Sequence, residues 1–412
     1  MSGLVGRGGA VIDRLARTAR FKASDLSGPC GCRYRGVHVA KSLKLWEAYA
    51  RPVIEYAAEV WRPTKAQAKK LERTVCDFAR HALGVDTRTG NDFLLTELGL
   101  VSPAARREEL KLRFFRHLCT AEPERALSKV FRRRCEQVKE GGAKGSLCAE
   151  YRDLLLKHDF GPQWENLPAE PREWTDWDTR VHKVVALRDL ANRRVRLTER
   201  ESMARYLMIK PMDKPSRSAY LYGRGLGVWL KLRLRADNLP LLTVLARTST
   251  PRMTTHCARC ALCATGASED VQHFLTECPA LQPEREKLWA DMVQAVRPST
   301  EESMLARRMC GVAEGSDNTA KLGMLLDSHE EPTTSSEEER RHRAAALAQV
   351  DTIAKREVDR VARGYFVRVW HRRAELLGGV PSLDNRGYKM VLGALRPDGR
   401  CASWVDAAHT VV

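Results

Sequence analysis

The stretch CARCALCATGASEDVQHFLTEC, residues 257–278, holds four of the chain's twelve cysteines and one of its eleven histidines. A structural zinc site needs four nitrogen or sulfur ligands in a tetrahedron, and a Cys-x2-Cys pair at a tight turn supplies two of them. Cys260 and Cys263 form such a pair, and His273 and Cys278 complete the pattern Cys-x2-Cys-x9-His-x4-Cys. The spacing predicts a structural Zn²⁺ site, and four protein ligands leave the ion no open position for catalysis.

The ligand set has one alternative member. Cys257 and Cys260 are also separated by two residues, so Cys257 is an alternative ligand. Cys260 and Cys263 are preferred because they lie nearer along the chain to the histidine and cysteine that follow.

The last two ligands raise a question of helix geometry. His273 and Cys278 are five residues apart, which is about 140° around a regular α-helix, so both cannot face one ion from such a helix. Pro279 disfavours the α conformation at the residue before it, which lets Cys278 leave the helix and turn its sulfur toward the ion. Ser268 and Asp270 are both candidate caps for a helix through His273.

Charge points to a polyanionic partner. Seventy Lys and Arg against 52 Asp and Glu give a formal charge of +18 and a pI near 9.6. Residues 180–235 alone contain fifteen basic and four acidic side chains, a net +11. Such a local excess is typical of a phosphate-contacting surface, so we expect RNA or DNA as the partner. The candidate nucleic-acid contacts are Lys69, Lys70, Arg73, Arg193, Arg194, Arg196, Lys231, Arg233 and Arg235.

Composition also bears on the compartment. The longest apolar runs fall far short of the ~20 residues that cross a bilayer, and residues 1–10 lack the apolar stretch of a signal peptide. We therefore expect an intracellular protein, nuclear or cytoplasmic, with no membrane segment. In that reducing setting the cysteines outside the cluster are interpreted as free thiols.

The predicted fold is mainly α, with a helical bundle, a basic helical connector, a small zinc knuckle and a long C-terminal helix. The predicted segments are a poorly specified lead-in (1–40), a helical domain (41–138), a linker region (139–179), the basic connector with the CCHC zinc-binding domain (180–296), and a partly disordered segment followed by a helical region (297–412).

Local signals mark several helix boundaries. Thr64 is a good N-cap, Gly84 stands where that helix closes, and Pro52 is expected to kink or split the helix around it. Residues 229–245 fit either a strand followed by a helix or two short helices. One long helix is expected from about Glu337 to Leu377.

Two further patterns concern binding. Trp174 and Trp177 lie in a proline-rich stretch without period and are the better tryptophan candidates for stacking on bases. The Gly223-x-Gly225-x-Gly227 pattern follows no clear strand, so a flexible turn is favoured over a nucleotide site.

The cysteine-rich region resembles the zinc-binding region at the C-terminus of reverse transcriptases from non-LTR retrotransposons. In that family an apolar and basic run ending in Leu-Pro leads to Cys-x2-Cys, an acidic pair, His-Phe-Leu, Cys-Pro and an arginine-bearing helix. The matching residues here are Leu239-Pro240, Cys260 and Cys263, Glu269 and Asp270, His273-Phe274-Leu275, Cys278-Pro279 and Arg285. Residues 50–61 and 94–118 are similar to the helical thumb that follows the polymerase palm, so the resemblance implies that the bundle is thumb-like.

The catalytic signature of that family is missing. Polymerase chemistry needs aspartates that hold two Mg²⁺ ions, and the family carries them as Tyr-x-Asp-Asp, whereas this sequence has no adjacent Asp pair. Asp176 and Asp178 lie in the proline-rich stretch and are interpreted as a surface turn. Arg396-Pro397-Asp398 is similar to the start of a nuclease that some relatives carry, but too few acidic residues follow it.

The resemblance therefore implies a C-terminal, nucleic-acid-binding fragment of a reverse transcriptase with no catalytic residues of its own, and a palm domain as partner in a longer polyprotein. The alternative is a stand-alone zinc-dependent module that binds nucleic acid or protein in a cellular role. An active polymerase with a divergent palm is the least favoured interpretation.

Overall fold

Helices account for most of the chain in the computed structural model, which describes residues 3–28, 30–31, 36–85, 87–143, 145–210, 212–223, 225–248, 258–299, 304–326 and 339–377. These residues contain no β-strand, and their only bridge is an antiparallel one between Arg259 and Ser268. The prediction of a mainly α protein is confirmed. No helix in this part of the chain is both long and apolar enough to cross a bilayer.

The chain forms two units, Met1–Glu199 with Met212–Tyr222, and Arg200–Pro211 with Gly223–Val412. The first unit contains α1 (Gly3–Ser27), α2 (Val39–Tyr49), α3 (Arg51–Glu55), α4 (Lys65–Leu83), α5 (Asn91–Leu98), α6 (Pro103–Cys119), α7 (Ala126–Lys139), α8 (Leu147–Lys157), α9 (Gly161–Asn166) and α10 (Trp177–Thr198). The second contains α11 (Ala204–Ile209), α12 (Leu226–Arg235), α13 (Leu242–Thr248), α14 (Gln282–Val296), α15 (Met304–Glu314), α16 (Asn318–Leu325) and α17 (Glu339–Leu376).

The predicted boundary signals act as expected. Thr64 caps α4 by accepting from the backbone N–H of Gln67, whose side chain accepts from the N–H of Thr64 in return. Gly84 closes the same helix at a left-handed φ of 67°. The helix around Pro52 is split into α2 and α3, because proline cannot continue the hydrogen-bond ladder.

The expectation of a poorly specified lead-in is wrong for residues 3–27, which form α1. Its buried side chains are Ile12, Ala16, Ala19, Ala23 and Leu26, and this face packs on α4 and α3. The spacing of 4-3-4-3 is that of one helical stripe. The stripe consists mostly of alanine, which allows close helix approach but gives a weak apolar signal in the sequence.

The predicted linker region is part of the first unit's core. Trp164, Trp174 and Trp177 are each at most 4% exposed, in one cluster with Phe115 of α6 and Tyr151 of α8. The N–H of the Trp177 indole donates to the carbonyl of Leu112 at 3.1 Å. The expectation that Trp174 and Trp177 stack on bases is therefore wrong, because their rings already form the core.

The predicted segment 180–296 also divides differently. Its first helix, α10, belongs to the first unit, and α12 onward belongs to the second. Residues 229–245 form parts of two short helices, α12 and α13, which resolves the open alternative.

The second unit is arranged around α17, which packs on α14 and α12. Its observed bounds match the predicted long helix closely. Tyr365, Phe366, Val369 and Trp370 are buried within this unit. At Gly227 a Cβ atom would lie 2.7 Å from the carbonyl oxygen of Arg363, so the absence of a side chain allows α12 and α17 to approach closely.

Candidate metal centre

A tight turn brings the first two cysteines together. The bridge between Arg259 and Ser268 closes the turn, and the Cys260 N–H donates to the carbonyl of Ala267 at 2.7 Å. Gly266 has a φ of +73°, a left-handed conformation that glycine adopts without strain. The turn thus presents Cys260 and Cys263 on one side, as the Cys-x2-Cys spacing predicts.

Of the other two candidate ligands, His273 begins a π-helical turn, His273–Glu277, and Cys278 directly follows it. Asp270 caps it by accepting from the N–H of His273 at 2.8 Å, so Asp270 rather than Ser268 is the cap. The N–H of Cys278 donates to the carbonyl of His273 at 2.7 Å, which is a bond across five residues. Cys278 itself, with φ −55° and ψ 118°, has left the α conformation before Pro279.

This arrangement answers the geometric question raised by the sequence. A wider π turn brings residues five apart closer to one face than a regular α-helix does, and the conformation before the proline turns the second sulfur in. The role of Pro279 is confirmed. The π turn itself was not foreseen, although the spacing of five residues between two ligands is the signal that could have suggested it.

The four side chains lie together at ligand distances. One atom each from Cys260, Cys263, His273 and Cys278 falls within 4.8 Å of the others. The sulfurs of Cys260 and Cys278 are 3.8 Å apart, and the Cys263 sulfur is 3.4 Å from Nε2 of His273. A tetrahedral Zn²⁺ with bonds of about 2.3 Å to sulfur and about 2.0 Å to nitrogen requires about 3.8 Å and about 3.5 Å for these separations. The residues present therefore fit a tetrahedral metal ion.

Burial and hydrogen bonding suit a closed structural site. Cys260, His273 and Cys278 are at most 6% exposed. The contact between the two cysteine sulfurs raises the pKa of Cys260 and lowers that of Cys278, which favours a thiolate at Cys278. Nδ1 of His273 lies 4.0 Å from the carboxylate of Glu277, which places a negative charge behind the ligand ring.

Glu269 anchors the metal-binding turn to the rest of its unit. Its carboxylate is 1% exposed and accepts two hydrogen bonds from Arg373 of α17, at 2.7 and 2.9 Å. It also accepts from the N–H of Leu242 at the start of α13, at 2.8 Å. The hydroxyl of Tyr365 donates to the carbonyl of Leu275 in the π turn at 2.6 Å. The long C-terminal helix therefore contacts both halves of the metal centre, a role that sequence reasoning missed.

Four of the nine cations predicted to contact nucleic acid are buried: Arg193, Lys231, Arg233 and Arg235, at 0–9% exposure. Arg193 donates to Asp189 at 2.9 Å, and Lys231 donates to Asp359 at 2.6 Å. A cation held in a buried ion pair cannot reach a phosphate without leaving an unpaired buried charge, which is strongly unfavourable. The prediction is corrected for these four residues, because their side chains are buried in the fold and not exposed to a phosphate backbone.

The other five predicted contacts are exposed: Lys69, Lys70, Arg73, Arg194 and Arg196. Lys70 pairs with Asp13 at 2.8 Å, and Arg196 pairs with Asp92 at 2.6 Å. Arg73 is 73% exposed and lies 3.5 Å from Asp77, a contact worth little in water. Lys69, Arg73 and Arg194 thus keep their charge in solvent, and their contact with nucleic acid stays a prediction.

Cys257, the alternative ligand, lies outside the described residues, as does the segment Arg396-Pro397-Asp398. Gly225, at a φ of +92°, is the N-cap of α12, in agreement with a turn rather than a nucleotide loop.

Comparison of the chain with protein-family models, with curated proteins and with solved structures finds no match.

Proposed function

We propose that this chain is a nucleic-acid-binding C-terminal part of a non-LTR retrotransposon reverse transcriptase, holding a structural Zn²⁺ and carrying no polymerase chemistry of its own. The observation that carries the proposal is the cluster of Cys260, Cys263, His273 and Cys278 at ligand distances, since these four residues also carry the sequence resemblance. The net charge of +18 supports RNA or DNA as the partner.

In this proposal Zn²⁺ has a structural task. Three thiolate sulfurs and one imidazole nitrogen are ligands that suit zinc, and together they complete its shell. The ion ties the turn that carries Glu269 to the π turn that contacts Tyr365, so it holds α17 and α13 in place. Phosphate contact then falls to cations whose charge is free in solvent, such as Lys69, Arg73 and Arg194.

Three measurements on the full chain test the proposal. Native mass spectrometry is expected to find one zinc per chain, and the Cys278→Ser variant is expected to lose it. Cys310→Ser, which changes a cysteine on α15 outside the cluster, serves as control and is expected to retain the ion.

Fluorescence anisotropy with RNA and with DNA is expected to give binding that weakens steeply with salt, because phosphate contacts release counterions. Primer extension on an RNA template with Mg²⁺ is expected to yield no product. A zinc-free wild-type protein, salt-independent binding or no binding below about 100 μM would each overturn the proposal.

A further inference from the structure

The outward face of α1 carries two arginines and an exposed aromatic ring. At 100° per residue, Arg14, Arg17 and Phe21 fall within about 60° of one another and roughly opposite the buried stripe of the helix. Both arginines are exposed, and Phe21 is 70% exposed. The ring of Phe21 is therefore open to water on the same face as these two cations.

A second row of cations runs along α4, which packs beside α1. Lys65, Lys69 and Arg73 are spaced four residues apart on its solvent face and are exposed. The pair of Lys70 with Asp13 at 2.8 Å joins the two helices at their border and neutralises that aspartate. Among the described residues, no carboxylate lies within ion-pair distance of Arg14, Arg17, Lys65 or Lys69. We refer to these two rows, on two helices joined by the Lys70–Asp13 pair, as the α1–α4 face.

A third feature lies at the end of α1. The Lys22 ammonium sits over the ring of Tyr49 at 4.2 Å, and Tyr49 is 43% exposed. Phe21 and Tyr49 therefore offer aromatic surface beside the cations. Proteins bind single-stranded nucleic acid by combining cations along the phosphate backbone with aromatic rings on which the bases stack.

We propose that the α1–α4 face binds single-stranded nucleic acid, with phosphates on Arg14, Arg17, Lys69 and Arg73 and a base stacked on Phe21. The inference rests on the proposed function and deepens it by naming the surface and the form of nucleic acid. A membrane surface fits less well, because the apolar stripe of α1 is already buried on α4 and α3 and has nothing left to insert.

The test uses the full chain with a fluorescent uridine 12-mer, a duplex of the same length and anionic lipid vesicles. Phe21→Ala is expected to weaken binding to the 12-mer by about 5- to 150-fold, because a base loses the aromatic face on which it stacks. Phe21→Trp keeps an aromatic face and is expected to bind the 12-mer about as tightly as the wild type. Phe21→Leu keeps an apolar side chain without the ring and is expected to behave like alanine.

Arg14→Ala with Arg17→Ala is expected to reduce the slope of log affinity against log salt by about 1.4, at ~0.7 per phosphate contact on single strands. The control pair, Arg133→Ala with Arg134→Ala on exposed positions of α7, removes the same charge elsewhere and is expected to leave the slope within error. Equal thermal melting of all variants confirms that folding is unchanged.

The outcomes separate the two proposals. If the wild type binds no nucleic acid, both fall. If the wild type binds but Phe21→Ala and the double arginine variant bind equally well, only the α1–α4 face is wrong. Three other results would also overturn the inference. The first is equal binding of the 12-mer by Phe21→Leu and Phe21→Trp, and the second is tighter binding to the duplex than to the 12-mer. The third is vesicle binding that depends on Phe21 more strongly than RNA binding does.

Discussion

Glu109 of α6 illustrates how one buried carboxylate can order several cations. It is 1% exposed and pairs with Arg106 and Arg113, each at 2.6 Å, and with His182 at 3.2 Å. Burial alone raises the pKa of this carboxyl, but the hydrogen bond and charge of Arg106 outweigh burial and lower it below its ordinary value. The native state therefore binds fewer protons here than the unfolded chain does.

The sign of the pH dependence follows from that lowered pKa. The stabilisation by Glu109 is fully present above the ordinary carboxyl pKa of about 4.3 and is lost as pH falls through the lower folded-state value. Glu109→Gln is expected to destabilise the first unit by about 1–3 kcal/mol at pH 7, because Arg113 loses its carboxylate partner and Arg106 keeps only Glu55.

The destabilisation caused by Glu109→Gln should shrink as pH falls from the ordinary carboxyl pKa toward the lower folded-state pKa, because the stabilisation by the wild-type carboxylate is lost over that range. Hydrogen exchange of the α6 amides in the wild type and the variant, between pH 3.5 and 7, measures this destabilisation. Glu122→Gln, on an exposed pair with Arg125, is the control and should change little. A destabilisation by Glu109→Gln that does not change with pH would contradict the conclusion that the pKa of Glu109 is lowered by its arginine partners.

At the scale of elements, the contact between α12 and α17 depends on one glycine. Gly227→Ala would place a Cβ 2.7 Å from the Arg363 carbonyl oxygen and 2.8 Å from its Cβ, so the two helices must separate. We expect a loss of about 1–3 kcal/mol, the usual cost of overpacking. Gly311→Ala on α15 meets no atom within 4 Å and is expected to stabilise by about 0.5–1 kcal/mol. Thermal melting of both variants checks the opposite signs, and a shift of the same sign would disprove the role of Gly227.

Helix ends and ligand spacing were predictable because they depend on nearby residues. Thr64, Gly84 and Pro52 act within one turn, and Cys260 and Cys263 need only a tight turn between them. The sequence therefore predicted these helix boundaries and all four members of the described cluster.

Features that depend on distant partners were not predictable in this way. Lys231 is buried and forms an ion pair with Asp359, 128 residues away in the sequence. Because the partner is so distant, the sequence around Lys231 gives no sign that its charge is not on the surface. Trp174 lies in an irregular stretch, and without a period no pattern shows that it enters the core. Alanines of α1 pack closely but contribute too little apolar surface to be recognised as a stripe.

At the scale of the whole molecule, the chain passes between the two units three times, yet all four residues of the candidate metal centre lie in the second unit. In that unit the ligands connect to α17 through the bonds of Glu269 to Arg373 and of Leu275 to Tyr365. The first unit has its own core around Phe115. Metal binding should therefore stabilise one unit and leave the other's core unaffected.

Stripping the ion tests this division. With a chelator, amides of α17 around Tyr365 and of the π turn are expected to exchange faster by a factor on the order of 10² or more, because metal affinity contributes directly to folding. Amides of α6 and α8 should keep their rates, and added Zn²⁺ should restore α17. Hydrogen exchange with mass spectrometry reads both units in one experiment. Equal loosening of α6 and α17, or no change in either, would contradict a metal centre that organises only the second unit.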